Sequence, residues 1–159
     1  MSARLVFLIL ITLNFIGCNL QNLQADKTSP DLADITKLEQ TAKKAYLDED
    51  WATAEKAYKS LTLQIPGDVE PWFRLGNVYA RTNNLDAAVA TYREALIRDP
   101  KNSKVWHNLG VIQLKQAANT FLEMQQYTEE NDPLGIRARY AVNSIANLID
   151  SGFQPGEKQ

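Results

Sequence analysis

VEPWFRLGNVYARTNNLDAAVATYREALIRDPKN, residues 69–102, decides the fold. Trp72, Leu75, Gly76 and Tyr79 stand at the spacings of one helix face. Ala88, Tyr92 and Ala95 repeat that spacing on a second helix. Thr82-Asn83-Asn84 between them reads as a short polar turn, because Asn tolerates the left-handed backbone at a helix end. Gly76 and Ala88 lack bulk, so the two helices can approach closely, with Trp72 and Tyr92 filling the wider space beside them. Pro100 stops the second helix, since proline removes a donor and clashes with the preceding turn. Ser103 is the expected N-cap of the next helix.

The pattern recurs at one constant interval. Ala54, Tyr58 and Pro66 return as Ala88, Tyr92 and Pro100, and Trp72, Leu75 and Gly76 return as Trp106, Leu109 and Gly110. A period of this length in helix-forming residues predicts a stack of helix pairs, which presents a surface to another chain. The third copy departs at its turn, where Gln116-Ala117-Ala118 prefers to stay helical. It reads as one long helix to about Glu130, straight or kinked near Asn119-Thr120, and Asn131-Asp132-Pro133 ends it. Leu134 to Ile149 then makes a closing helix with Ile136, Tyr140, Ile145, Leu148 and Ile149 mostly on one face. Trp72, Trp106, Tyr58, Tyr79 and Tyr92 are expected in the core. The fold class is therefore all-α: a short α-solenoid of antiparallel helix pairs with a long helix and a C-terminal capping helix. The helical domain spans 34–150, with repeats at 35–68 and 69–102, a degenerate third unit from 103 and a cap at 134–150. Residues 151–159, with Gly152, Pro155 and Gly156, read as a disordered tail.

Residues 69–102 resemble a tetratricopeptide (TPR) repeat, with Trp72, Leu75, Gly76, Tyr79, Ala88, Tyr92, Ala95 and Pro100 at the family's signature positions. Residues 35–68 resemble a weaker copy: it keeps Ala42, Ala54, Tyr58 and Pro66 but has Leu38, Thr41 and Leu61 at other signature positions. The resemblance implies that the first helix of each pair lines a concave face. It implies partner contacts at Glu39, Gln40 and Lys43, at Phe73, Arg74, Asn77 and Arg81, and at Lys104, His107, Asn108 and Lys115. An extended peptide or a helix would lie in that groove. Asn77 and Asn108 match the two amides with which some family members hold a peptide backbone, although Phe73 stands where that clamp has a lysine. On this reading, replacing both Asn residues by Ala leaves stability nearly intact and weakens binding.

The N-terminus has a different character. Arg4 precedes an apolar run from Leu5 to Leu13, too short for the ~20 residues of a spanning helix. A charged start, a short apolar core and a small residue before a cut site read as a secretory signal. Phe15-Ile16-Gly17-Cys18 resembles a bacterial lipobox, which implies cleavage after residue 17 and lipidation of Cys18, the chain's single cysteine. Two or three acyl chains, at roughly 0.8 kcal/mol per buried methylene, would anchor the protein nearly permanently. A secreted protein with a chance Cys, or an uncleaved anchor, are the alternatives. Residues 1–17 are thus the expected lipoprotein signal peptide and 18–33 a flexible tether with a reach of roughly 20 Å. Asn19, by resemblance to the enteric sorting rule, directs the protein to the outer membrane, facing the periplasm.

Net charge of −2 and a pI near 5.4 make no case for nucleic acid, which needs a clustered basic face, nor for a membrane-surface helix. One histidine, and no His-Glu-x-x-His, glycine-rich phosphate loop or Gly-x-Ser-x-Gly, argue against an enzyme; no catalytic residue, metal or cofactor is expected. Glu129, Glu130 and Asp132 read as a solvated helix stop. The expected function is a protein-protein interaction scaffold or assembly factor lipid-tethered to the outer membrane, similar in plan to small lipoproteins that assist pilus or secretin assembly. The alternatives are a self-associating structural protein, as a homo-oligomer, or a regulatory subunit of an envelope enzyme.

Overall fold

The computed structural model describes residues 31–150. The expected leader, Cys18, most of the tether and the tail lie outside the described residues. Within the described residues six helices follow one another: α1 Leu32–Leu47, α2 Trp51–Gln64, α3 Val69–Arg81, α4 Leu85–Arg98, α5 Ser103–Gln125 and α6 Pro133–Asp150. No strand occurs among them. Each helix packs principally on its neighbours in sequence, with one smaller second-neighbour approach between α3 and α5. This is an all-helical, TPR-like solenoid.

The period is written into the helix ends. Asp50 and Asn84, one period apart, cap α2 and α4, accepting from Thr53 N at 3.1 Å and Ala87 N at 3.4 Å. Asp68 and Asn102, at the same interval, cap α3 and α5, accepting from Glu70 N at 3.0 Å and Val105 N at 3.3 Å. Each side-chain oxygen satisfies a first-turn N–H that the helix leaves open. Asn102 therefore does the work expected of Ser103, which is the first residue inside α5.

The turns within the pairs repeat as well. Glu49 and Asn83 both hold positive φ, 59° and 57°. Asn83 suits that conformation, whereas the Cβ of Glu49 is strained there. Glu49→Gly is expected to raise stability by about 0.5–1 kcal/mol, read as a higher urea midpoint at unchanged slope. A lower midpoint would show that the turn carries no strain. One period on stands Ala117, and there the turn is missing. α5 runs unbroken through Asn119 and Thr120 and ends at Gln125, short of the expected Glu130, where Gln126 N–H bonds back to Glu123 and Met124 carbonyls. Asp132 then caps α6, accepting from Leu134 N at 2.7 Å.

The core runs through the stack from Ala42 to Ile112. Gly76 makes it possible. A Cβ there would lie 2.5 and 2.6 Å from two ring carbons of Tyr92, which is fully buried. The phenol ring thus lies directly on the glycine rather than beside it. At Gly110 the same substitution meets nothing within 4 Å, so this third copy of the signature has lost its steric reason.

Two core expectations are corrected. Trp106 is 55% exposed. Its counterpart Trp72 is half-buried because the Arg98 guanidinium lies 4.1 Å over its ring. One period past Arg98 the chain has Asp132, in the loop before α6, so no such cover reaches Trp106. The closing helix also differs. α6 turns Gly135 and Ala138 inward, with Ile145 and Ile149 half-buried, whereas Ile136, Tyr140 and Leu148 are exposed. The five apolar residues are divided between two faces, because small side chains make the closest approach.

Candidate functional site

The first helices of the units, α1, α3 and α5, carry the predicted contact residues. Lys43, Arg81, Lys104 and His107 are exposed, as are Glu39 and Gln40. Phe73, Arg74 and Lys115 are half-buried. Arg74 is held by Glu70, Nε to Oε1 at 2.6 Å, one turn back on α3. So braced, its guanidinium lies 5.9 Å from the Tyr46 ring of α1 and 5.8 Å from the Phe73 ring. Tyr46 in turn meets Trp51 edge-on at 5.4 Å and Tyr58 at 6.5 Å. Phe73 tilts over Tyr92 at 6.3 Å. The result is a cation between two aromatic rings contributed by two helices, an arrangement that favours planar or cationic neighbours. Burial pushes the Tyr58 phenol up to about 12, against the opposing pull of Arg74, so it stays a neutral donor at any physiological pH.

Sequence reasoning missed Tyr46. The signal for it is an aromatic in the last turn of α1, shortly before Trp51 across the turn.

Asn77 and Asn108 behave differently from the expected pair of groove amides. They are 5% and 3% exposed. Asn77 Oδ1 accepts from the Tyr92 hydroxyl at 2.7 Å and from Asn108 Nδ2 at 2.8 Å. One oxygen thereby ties α3, α4 and α5 together. Burial pushes the Tyr92 phenol upward, which keeps its proton on and the donated bond intact. These amides are structural, and their hydrogen bonds to each other and to Tyr92 are in place before any partner arrives.

Among the described residues, no group of three or more His, Cys, Asp or Glu converges to hold a metal ion. No buried side-chain nitrogen or oxygen there lacks a partner. No described helix is long and apolar enough to cross a membrane.

An interaction surface on stacked helix pairs is the class of site this geometry defines. The TPR repeat family matches residues 76–116, the second half of α3 through the Ala117 boundary. The chain is also similar to a general transcriptional corepressor, ssn6, of Schizosaccharomyces pombe, with 32% identity over 66 residues. That similarity takes in 40% of this chain and 6% of the corepressor, so the chain spans a small fraction of that relative's length. TPR domains bind protein partners in general, and typically serve as scaffolds rather than enzymes.

Proposed function

We propose that this protein is an interaction scaffold or assembly factor of a bacterial cell envelope, anchored by lipid at Cys18 to the outer membrane on its periplasmic side. The observation that carries the scaffold is the helix-pair stack with Arg74 braced between Tyr46 and Phe73 on its first-helix face. Residues Phe15 to Cys18 support the anchor and Asn19 the membrane. The partner is an envelope protein that lays an extended segment or a helix along Lys43, Phe73, Arg74, Arg81, Lys104, His107 and Lys115, in the assembly of a pilus, secretin or other envelope complex. Similarity to the corepressor takes in a small fraction of that relative, so it leaves transcription with that relative.

The test is a crosslinked pull-down from native membranes through a tag after Gln159, comparing wild type, Cys18→Ser and Arg74→Ala. A membrane-complex subunit recovered with wild type and lost with both variants is the expected result. Recovery of this chain alone would turn the reading to self-association. Recovery of a soluble partner regardless of Cys18 would remove the anchor from the mechanism.

A further inference from the structure

The second helices of the two complete pairs carry the same outward ridge. On α2 the exposed residues include Lys56, Lys59 and Leu63; their counterparts one period on, Ala90, Arg93 and Ile97, are exposed on α4, with Asp86 one turn before Ala90. Leu63 is 81% exposed and Ile97 71%. Each stands one helical turn after a cation, Lys59 or Arg93, hence on the same helix face. Two of the nearby acids are paired: Glu55 with Lys59 at 2.5 Å and Glu94 with Arg98 at 2.9 Å. Lys56 and Arg93 make no ion pair among the described residues, and Asp86 accepts from the Gln116 amide at 2.6 Å, so Lys56, Lys59 and Arg93 outnumber Glu55 and Asp86 along the ridge despite the acidic chain.

The ridge continues to the bare tryptophan. Arg98 Nε, next to Ile97, donates to the carbonyl of Pro66, just past Leu63. Pro100, just past Ile97, accepts the Trp106 indole N–H at 2.9 Å. That bond matters, because the Trp106 ring can enter an apolar medium without stranding its donor. Leu63, Ile97 and Trp106 are single apolar prongs set among cations and proline turns. Isolated prongs suit a fluid apolar phase, which closes around each one, better than a second folded surface, which needs a continuous packed patch.

We infer that this ridge docks the domain side-on to an anionic bilayer surface, with Leu63, Ile97 and Trp106 entering the acyl boundary and Lys56 and Arg93 meeting lipid phosphates. The inference rests on the proposed anchor at Cys18, which would hold the domain within reach of that surface.

The experiment uses the full chain with an N-terminal hexahistidine tag, held on phosphatidylethanolamine–phosphatidylglycerol vesicles by a nickel-chelating lipid. Tethering is thereby independent of acylation. Subtracting the emission of Trp106→Phe isolates the Trp106 signal. Brominated acyl chains are expected to quench it about two-fold at low salt, and Leu63→Glu with Ile97→Glu, both at exposed positions, to abolish the quenching. Unquenched Trp106 on vesicle-bound chain would overturn the inference and leave the ridge to a protein partner. Quenching that survives the double variant, or that persists equally on phosphatidylcholine vesicles, would overturn it too. The acyl mass on Cys18 of protein from native membranes judges the anchor separately.

Discussion

Gly76→Ala is expected to destabilise the domain by about 1–3 kcal/mol, whereas Gly110→Ala is expected to stabilise it by about 0.8–1 kcal/mol. The two glycines occupy the same repeat position, in α3 and α5. In isolation both replacements favour a helix interior by nearly the same amount, since alanine loses less backbone entropy on folding. The neighbour decides the sign. At Gly76 the new methyl would meet two ring carbons of Tyr92 at 2.5 and 2.6 Å. That ring is fully buried, and its hydroxyl is tied to Asn77, so it cannot rotate away cheaply. At Gly110 the methyl meets open space. Thermal or urea unfolding of the two variants beside wild type is sufficient. Matching signs would mean that α4 does not press on α3 where the structure has it. Gly76→Leu should be worse than Gly76→Ala for the same reason.

Asn77→Leu is expected to cost about 2–5 kcal/mol, because it orphans the Tyr92 hydroxyl and the Asn108 amide together. Asn108→Leu alone should cost less, since Asn77 keeps its bond from Tyr92. Adding Asn108→Leu to Asn77→Leu should then cost little more, giving a coupling of about 0.5–3 kcal/mol in a double-mutant cycle. Strict additivity would show that the shared oxygen at Asn77 does not link the helices. This reverses the expectation that the two amides could be removed with stability intact. A partner-binding assay on the same variants would then report unfolding as much as recognition, so Arg74→Ala and Lys104→Ala are the better probes of the surface.

The constant repeat interval made the helix pairs, their turns and their order legible before any coordinates. It succeeded because each pair repeats its caps and its left-handed turn along with its apolar face: Asp50 with Asn84, Asp68 with Asn102, Glu49 with Asn83. Ala117 gave away the end of the repetition, since an alanine does not hold the left-handed backbone that Asn83 does. What the chain alone left open concerns side-chain direction. An asparagine on a groove-lining position reads the same whether its amide meets water or Tyr92. Trp106 looked like core because it repeats Trp72 at the same signature position; the cover of Trp72 comes from Arg98, and Asp132 at the next interval supplies nothing of the kind. The brace at Arg74 escaped because Tyr46 belongs to the weaker copy, where the signature is thinnest.

Contacts that run mainly from each helix to the next give the molecule a line of interfaces rather than a centre. Such a chain opens from its ends, and its parts need not melt together. Amide exchange should therefore grade along it: slowest in α3 and α4 at the middle of the stack, and fastest in α1 and α6, each with one principal neighbour. Losing α6 would bare the far half of α5 while the Asn77–Tyr92–Asn108 junction stayed shut.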